Sequence, residues 1–170
     1  MTDVNVLVVF YSRHGTAEKL ALAAGVGAIQ ARANIRLRRV ADLADRDTIE
    51  ASAAWKENLE RMNRDYVTPR PADPEWAHAI ILSTPADSSR ELEQYIDSLR
   101  AAGSNAGRIA APLAPGSSVS ALKPIYAAAG CAGLIVVPAP SGSGDEIASA
   151  RAHGQRVVQM ARALASLTLL

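Results

Sequence analysis

The chain has 170 residues, 49% of them apolar and 21% charged, with a formal net charge of +1 and one cysteine. That length buries a full core in one domain over residues 1–170, and the near-neutral balance excludes a disordered chain, a basic nucleic-acid surface and an acidic tail. Cys131 alone permits no internal disulfide or cysteine metal cluster, Met1 leads within three residues into an apolar run, and no run reaches the roughly 20 residues of a membrane helix, so a soluble cytoplasmic protein without a signal peptide is expected.

Residues 4–11, apolar apart from Asn5, read as a central parallel strand buried on both faces. From Thr16 onward Ala17, Leu20, Ala21, Ala24 and Ala28 share one helical face, with Thr16 the expected N-cap. Gly25 and Gly27 weaken that helix intrinsically and predict a close approach to the sheet. Residues 35–40 alternate with arginines, as a half-exposed second strand does. Residues 41–75 form one long excursion: 47–64 read as an exposed helix, and Pro69, Pro71 and Pro74 predict an extended return. An insertion of this length serves as a lid, an oligomer contact or a plain surface excursion. A third strand is predicted at 77–84, a helix at 88–102 and a fourth strand at 108–113, weakened by its alanines and Pro112. A helix follows at 119–129 despite Pro124. A fifth strand at 133–137 ends at Pro138, and 146–167 is the closing helix.

This alternation predicts an α/β fold with a five-stranded, open, parallel sheet and helices on both faces. Ligands on such sheets lie beyond the carboxyl ends of the strands, where the strand order switches. Loops 12–17, 85–90 and 114–118 leave the sheet at that edge. In the first of them, Ser12-Arg13-His14-Gly15-Thr16-Ala17 joins a buried strand directly to a helix. Backbone N–H groups, the positive end of the helix dipole and two hydroxyls then converge on one spot, a cradle for a phosphate. The chain has no Gly-x-x-x-x-Gly-Lys-Ser/Thr, which excludes a P-loop, and its first turn lacks Gly-x-Gly-x-x-Gly. Gly25-Val26-Gly27 lies inside a predicted helix and Gly142-Ser143-Gly144 follows the last strand, so neither has the context of a dinucleotide site.

Tyr11-Ser12-Arg13-His14-Gly15-Thr16-Ala17-Glu18-Lys19-Leu20-Ala21 resembles the FMN-phosphate turn of flavodoxin-like proteins. It is most similar to that of the WrbA-type (tryptophan-repressor-binding protein) NAD(P)H:quinone oxidoreductases. The likeness continues in order through Val40, the segment 76–85, Tyr95-Ile96-Asp97 and residues 150–158. It implies a flavodoxin-like three-layer sandwich, FMN as cofactor, NADH or NADPH as electron donor and a quinone or similar small molecule as acceptor. A homodimer or homotetramer is in keeping with it, and neither nucleic acid nor membrane is. Carried over residue by residue, Ser12, Arg13, His14, Gly15, Thr16 and Ala17 hold the phosphate. Pro85, Ala86 and Asp87 flank the flavin ring on one side and Pro115, Gly116 and Ser117 on the other, mainly through backbone groups.

The chain departs from the family at the ring. Where relatives have Pro-Thr-Arg-Phe/Tyr-Gly-Asn it has Pro85-Ala86-Asp87-Ser88-Ser89-Arg90, with neither aromatic nor glycine. In place of a glycine-rich loop with Gln-Glu it has Ala114-Pro115-Gly116-Ser117-Ser118. Asp87 reads as a charge at a helix N-terminus, Cys131 as a small core residue, Trp55, Tyr66 and Trp76 as helix-packing aromatics, and His78 and His153 as structural or surface residues. No Ser-His-Asp set, metal-ligand pattern or acid/base pair is visible, so no catalytic or metal-binding residue is named. That suits chemistry carried by a cofactor. The competing expectation is a flavodoxin-like binding or interaction module without flavin redox activity. A one-electron carrier is disfavoured by the absence of an acidic surface bias.

Overall fold

The computed structural model describes residues 3–103, 105–141 and 144–167; Gly142 and Ser143 of the second glycine pair lie outside them. Five strands, β1 (Val4–Phe10), β2 (Ala33–Arg39), β3 (Ala79–Ser83), β4 (Ile109–Leu113) and β5 (Ile135–Val136), form one all-parallel sheet in the order β2-β1-β3-β4-β5. The order reverses between β1 and β3. Tyr11 N–H donates to Ser83 O (3.0 Å) and Thr84 N–H to Leu113 O (2.9 Å), so the loops after β1, β3 and β4 start from neighbouring strand ends.

Strand periodicity sorts the core into two layers. Val4, Val6, Val8 and Phe10 face α1 (Thr16–Gln30) and α7 (Glu146–Leu167), while Leu7, Val9 and Tyr11 face α5 (Arg90–Ala102) and α6 (Val119–Cys131). The result is the predicted three-layer α/β sandwich. No described helix is long and apolar enough to cross a membrane.

The differences from expectation are local. Gly15, not Thr16, is the N-cap of α1, because the turn needs a left-handed residue there (φ 91°) and Thr16 is already helical. Gly27 faces α7, not the sheet: a Cβ on it would lie 1.9 Å from Arg151 O. The excursion helix divides into α2 (Arg46–Glu50) and α3 (Ala53–Asp65), because Asp45 and Ser52 each cap a new start through Thr48 N–H (2.7 Å) and Trp55 N–H (3.4 Å). The proline-rich return closes with a short helix, α4 (Ala72–Trp76), since proline is suited to a first helical turn. Its Asp73 is buried and pairs with Arg36 and Arg38 of β2. Cys131 ends α6 and is exposed, not in the core.

Candidate functional site

The turn after β1 is built around a buried serine. Ser12 is 1% exposed, and its hydroxyl accepts the Gly15 N–H at 2.9 Å. With Gly15 left-handed, the chain then passes straight into α1. Lys19 N–H bonds back to Gly15 O, but the N–H groups of Arg13, His14, Thr16, Ala17 and Glu18 donate to no acceptor among the described residues. Helix starts leave such orphan donors, and the aligned peptide dipoles add positive potential at the same place. His14 and Thr16 are exposed at the tip, and Ser83 Oγ donates to Ala17 O (2.8 Å), tying β3 to the first turn of α1.

The excursion forms a wall beside this turn. Tyr66 packs edge-on against Phe10, with ring centroids 4.9 Å apart, and Met62 joins the α1 layer of the core. Asp42, just past the end of β2, accepts from Tyr11 OH (3.0 Å), Trp55 Nε1 (3.0 Å) and Arg39 Nη2 (2.5 Å). Arg13 lies over the Trp55 ring at 4.9 Å, donates to Tyr11 OH (3.3 Å) and pairs with Asp87 at 3.1 Å. Glu18 lies in the first turn of α1, with its carboxylate close to Gly15. Burial alone would raise its carboxyl, but hydrogen bonds from Arg61 and Tyr66 outweigh that and hold it below the usual carboxylate range. Burial and the same contact push the Tyr66 phenol up to about 12.

The other two loops meet the first unequally. Asp87 does not stand as a charge at the start of α5; it reaches back to Arg13 and joins loops one and two. Pro85 and Ala86 follow at the strand end, and Ala86 O accepts from Ser118 Oγ (3.0 Å), which joins loops two and three. In loop three Gly116 (φ 62°) and Ser117 (φ 49°) are both left-handed, with Pro115 before them. Gly116 N–H donates to Glu146 of α7 and Ser117 Oγ to Pro140 O (2.8 Å). All twelve predicted positions therefore lie at one edge of the sheet, with Thr16 and Ala17 in the first turn of α1 and the rest on the loops. The turn after β1 presents donors without acceptors among the described residues, whereas Gly116 and Ser117 commit theirs to the segment that enters α7.

A cavity of about 750 Å³ lies elsewhere, between the excursion's return and α5. Its wall includes Pro69, Pro71, Pro74, Tyr95 and Leu99 and none of the twelve predicted positions. The residues that brace the site and escaped the sequence reading are Glu18, Asp42, Asn58, Arg61 and Glu146. Asn58 and Arg61, at i and i+3 on one face of α3, were the signal for two of them. Asp42 stands two residues beyond the expected end of the second strand, at the start of the excursion, where no sequence signal marked it.

No family model matches the chain. The NAD(P)H dehydrogenase (quinone) of Deinococcus radiodurans is 31% identical over 182 aligned positions, covering 94% of this chain and 89% of that protein. Among solved structures, an archaeal flavodoxin superposes with a TM-score of 0.63 at 15% identity, covering 94% of this chain and 99% of its own. A diflavin flavoprotein from Nostoc gives 0.60 at 11%, covering 99% of both. A flavone reductase gives 0.58 at 12%, covering 94% of this chain and 63% of its own. The flavodoxin-like fold carries the β1 turn and its open amides, and on the strength of the Deinococcus relative the chain belongs to the flavodoxin-like NAD(P)H dehydrogenase (quinone) family.

Proposed function

We propose that this protein is an FMN-dependent oxidoreductase that takes electrons from NADH or NADPH and delivers them to a quinone or similar small acceptor. The observation that carries the reading is the turn at 12–17, where unpartnered amides at the N-terminus of α1 surround a glycine that has no side chain to fill the space. A flavin phosphate, a dianion, suits those donors with no lysine or metal. When bound, FMN supplies the redox chemistry; the protein supplies binding, orientation and electrostatics.

In this reading the amides of Arg13, His14, Thr16 and Ala17 and the Thr16 hydroxyl hold the phosphate, and Ser12 shapes the turn through Gly15. The Arg13 guanidinium, held by Trp55 and Asp87, adds positive charge beside the turn. Arg61 neutralises Glu18, the carboxylate that would otherwise oppose the ligand. Pro85, Ala86 and Asp87 with Pro115, Gly116 and Ser117 flank the ring, and a ring seated between the two loops has to part the Ser118–Ala86 hydrogen bond. That bond is the observation favouring the second reading, a phosphate-binding module without flavin chemistry.

An FMN titration followed by flavin fluorescence separates the two. Saturable quenching supports the oxidoreductase; shifts of the 13–17 amides on adding inorganic phosphate, without any flavin quenching, support the module. Gly15→Asp places a carboxylate in the turn and is expected to lower FMN affinity at least about a hundredfold, as charge burial without a partner dictates. Gly15→Ala bears the same left-handed strain without the charge and is expected to keep most of the affinity. Equal affinity of Gly15→Asp and wild type would put the phosphate elsewhere. NAD(P)H oxidation with and without benzoquinone then distinguishes a reductase from a carrier.

A further inference from the structure

We infer that Asn58, on the excursion helix α3, is the positioning residue that holds the phosphate-binding turn open, with Arg61 fixing Asn58 in that role; the inference rests on the phosphate reading of the turn. Asn58 Nδ2 donates to Arg13 O at 2.7 Å, across 45 residues of sequence. Its Oδ1 accepts from Arg61 Nε (3.2 Å) and Nη2 (2.7 Å), and Arg61 also grips Glu18 with two nitrogens. Since arginine only donates, the amide oxygen has to face Arg61 and the NH₂ has to face the turn. Trp55 and Met62 are buried on either side of Asn58 in the helix, so its backbone is fixed.

The consequence follows from the geometry of one peptide unit. All described peptide bonds are trans, and in a trans unit the C=O and the following N–H point in opposite directions. With Arg13 C=O drawn towards α3, His14 N–H is turned away from α3 and left without a protein acceptor. A flip of that unit would replace the donor with a carbonyl oxygen, which repels an anion. Gly15 sits directly in front of this brace: a Cβ there would lie 3.6 Å from Glu18 Oε2 and 3.9 Å from Asn58 Nδ2. The helix inserted between β2 and β3 thus orients a binding turn that belongs to β1 and α1.

The test compares ligands with and without the phosphate. In Asn58→Ala the dissociation constant for FMN is expected to rise about tenfold or more, the loss of one well-placed donor, while that for riboflavin changes less than twofold. In ¹⁵N-labelled protein, inorganic phosphate is expected to shift the 13–17 amides of wild type and to do so more weakly in the variant. If Asn58→Ala melts early, Asn58→Leu keeps the side-chain volume and removes the donor without adding a charge, and it is expected to show the same FMN-selective loss. Equal losses for FMN and riboflavin, or no loss for either, would overturn the inference. Should wild type bind no FMN, the flavin reading fails while Asn58 is judged on the phosphate shifts alone; absence of those shifts in wild type overturns it too.

Discussion

Asp42 is the residue on which the wall beside the turn depends. It and Arg39 are 5% and 4% exposed, and the carboxylate also satisfies Tyr11 OH and Trp55 Nε1. Removing one member of a buried pair leaves the other charge uncompensated, which costs more than the pair itself contributes. Asp42→Asn is therefore expected to destabilise the protein by about 3–5 kcal/mol, read as a lower midpoint in urea unfolding. Because Trp55 starts α3 and carries Arg13 on its ring, the same variant is expected to weaken FMN binding even where it remains folded. None of this was legible in the sequence. An aspartate after a strand is unremarkable until its three partners, two of them near in sequence and one at the far end of β1, are brought around it.

At the scale of elements, α1 and α7 cross backbone to backbone. A Cβ on Gly27 would lie 1.9 Å from Arg151 O, and one on Gly154 would lie 2.0 Å from Ala24 O. The two glycines face each other's backbones, so the helices cross with no side chain between them, and neither site has a flexible group that could move aside. Gly154→Ala is expected to lower stability by about 1–3 kcal/mol or more, since overpacking is relieved only by parting the helices. Thermal unfolding followed by circular dichroism measures it, and an unchanged Tm would contradict the crossing. The elements themselves were readable because their signals are local: apolar runs for β1 and β3, a 3.6-residue stripe for α1, proline and glycine at the ends. What was not readable was pairing between elements. Gly27 was expected against the sheet, and α3 gave no sign that it would brace a turn more than forty residues earlier. The strand–turn–helix geometry at 12–17 was legible because strand, glycine and helix start are contiguous. The Arg13–Asp87 and Ser118–Ala86 links were not, because they join loops that only the sheet order brings together.

For the molecule as a whole, one buried histidine and two paired carboxylates contribute to how stability falls in acid. His153 is 1% exposed in the α1–α7 layer. Its Nδ1 lies 2.9 Å from Arg156 Nη2 and accepts from it, which puts the proton on Nε2, a buried atom with no acceptor among the described residues. Burial, reinforced by the Arg156 charge, lowers its pKa to about 4. In the unfolded chain it titrates near about 6.5, so between these values the unfolded state binds more protons and stability falls as pH falls. The full effect is about 3 kcal/mol, complete near pH 4. Glu18 and Asp73 act lower down. Burial would raise both, but hydrogen bonds from Arg61 and Tyr66 on one and Arg38 on the other hold them below their unfolded values. Their contribution is present above those unfolded values, about 4, and is lost as pH drops through the folded ones. Wild type is thus expected to weaken in two stages, one between about pH 6.5 and 4 and one below about pH 4. His153→Gln, which keeps an acceptor for Arg156, is expected to abolish the first stage and leave the second. Urea midpoints measured at intervals from neutral to acid pH decide it. A variant that weakens in parallel with wild type above pH 4 would mean that the first stage arises from groups other than His153.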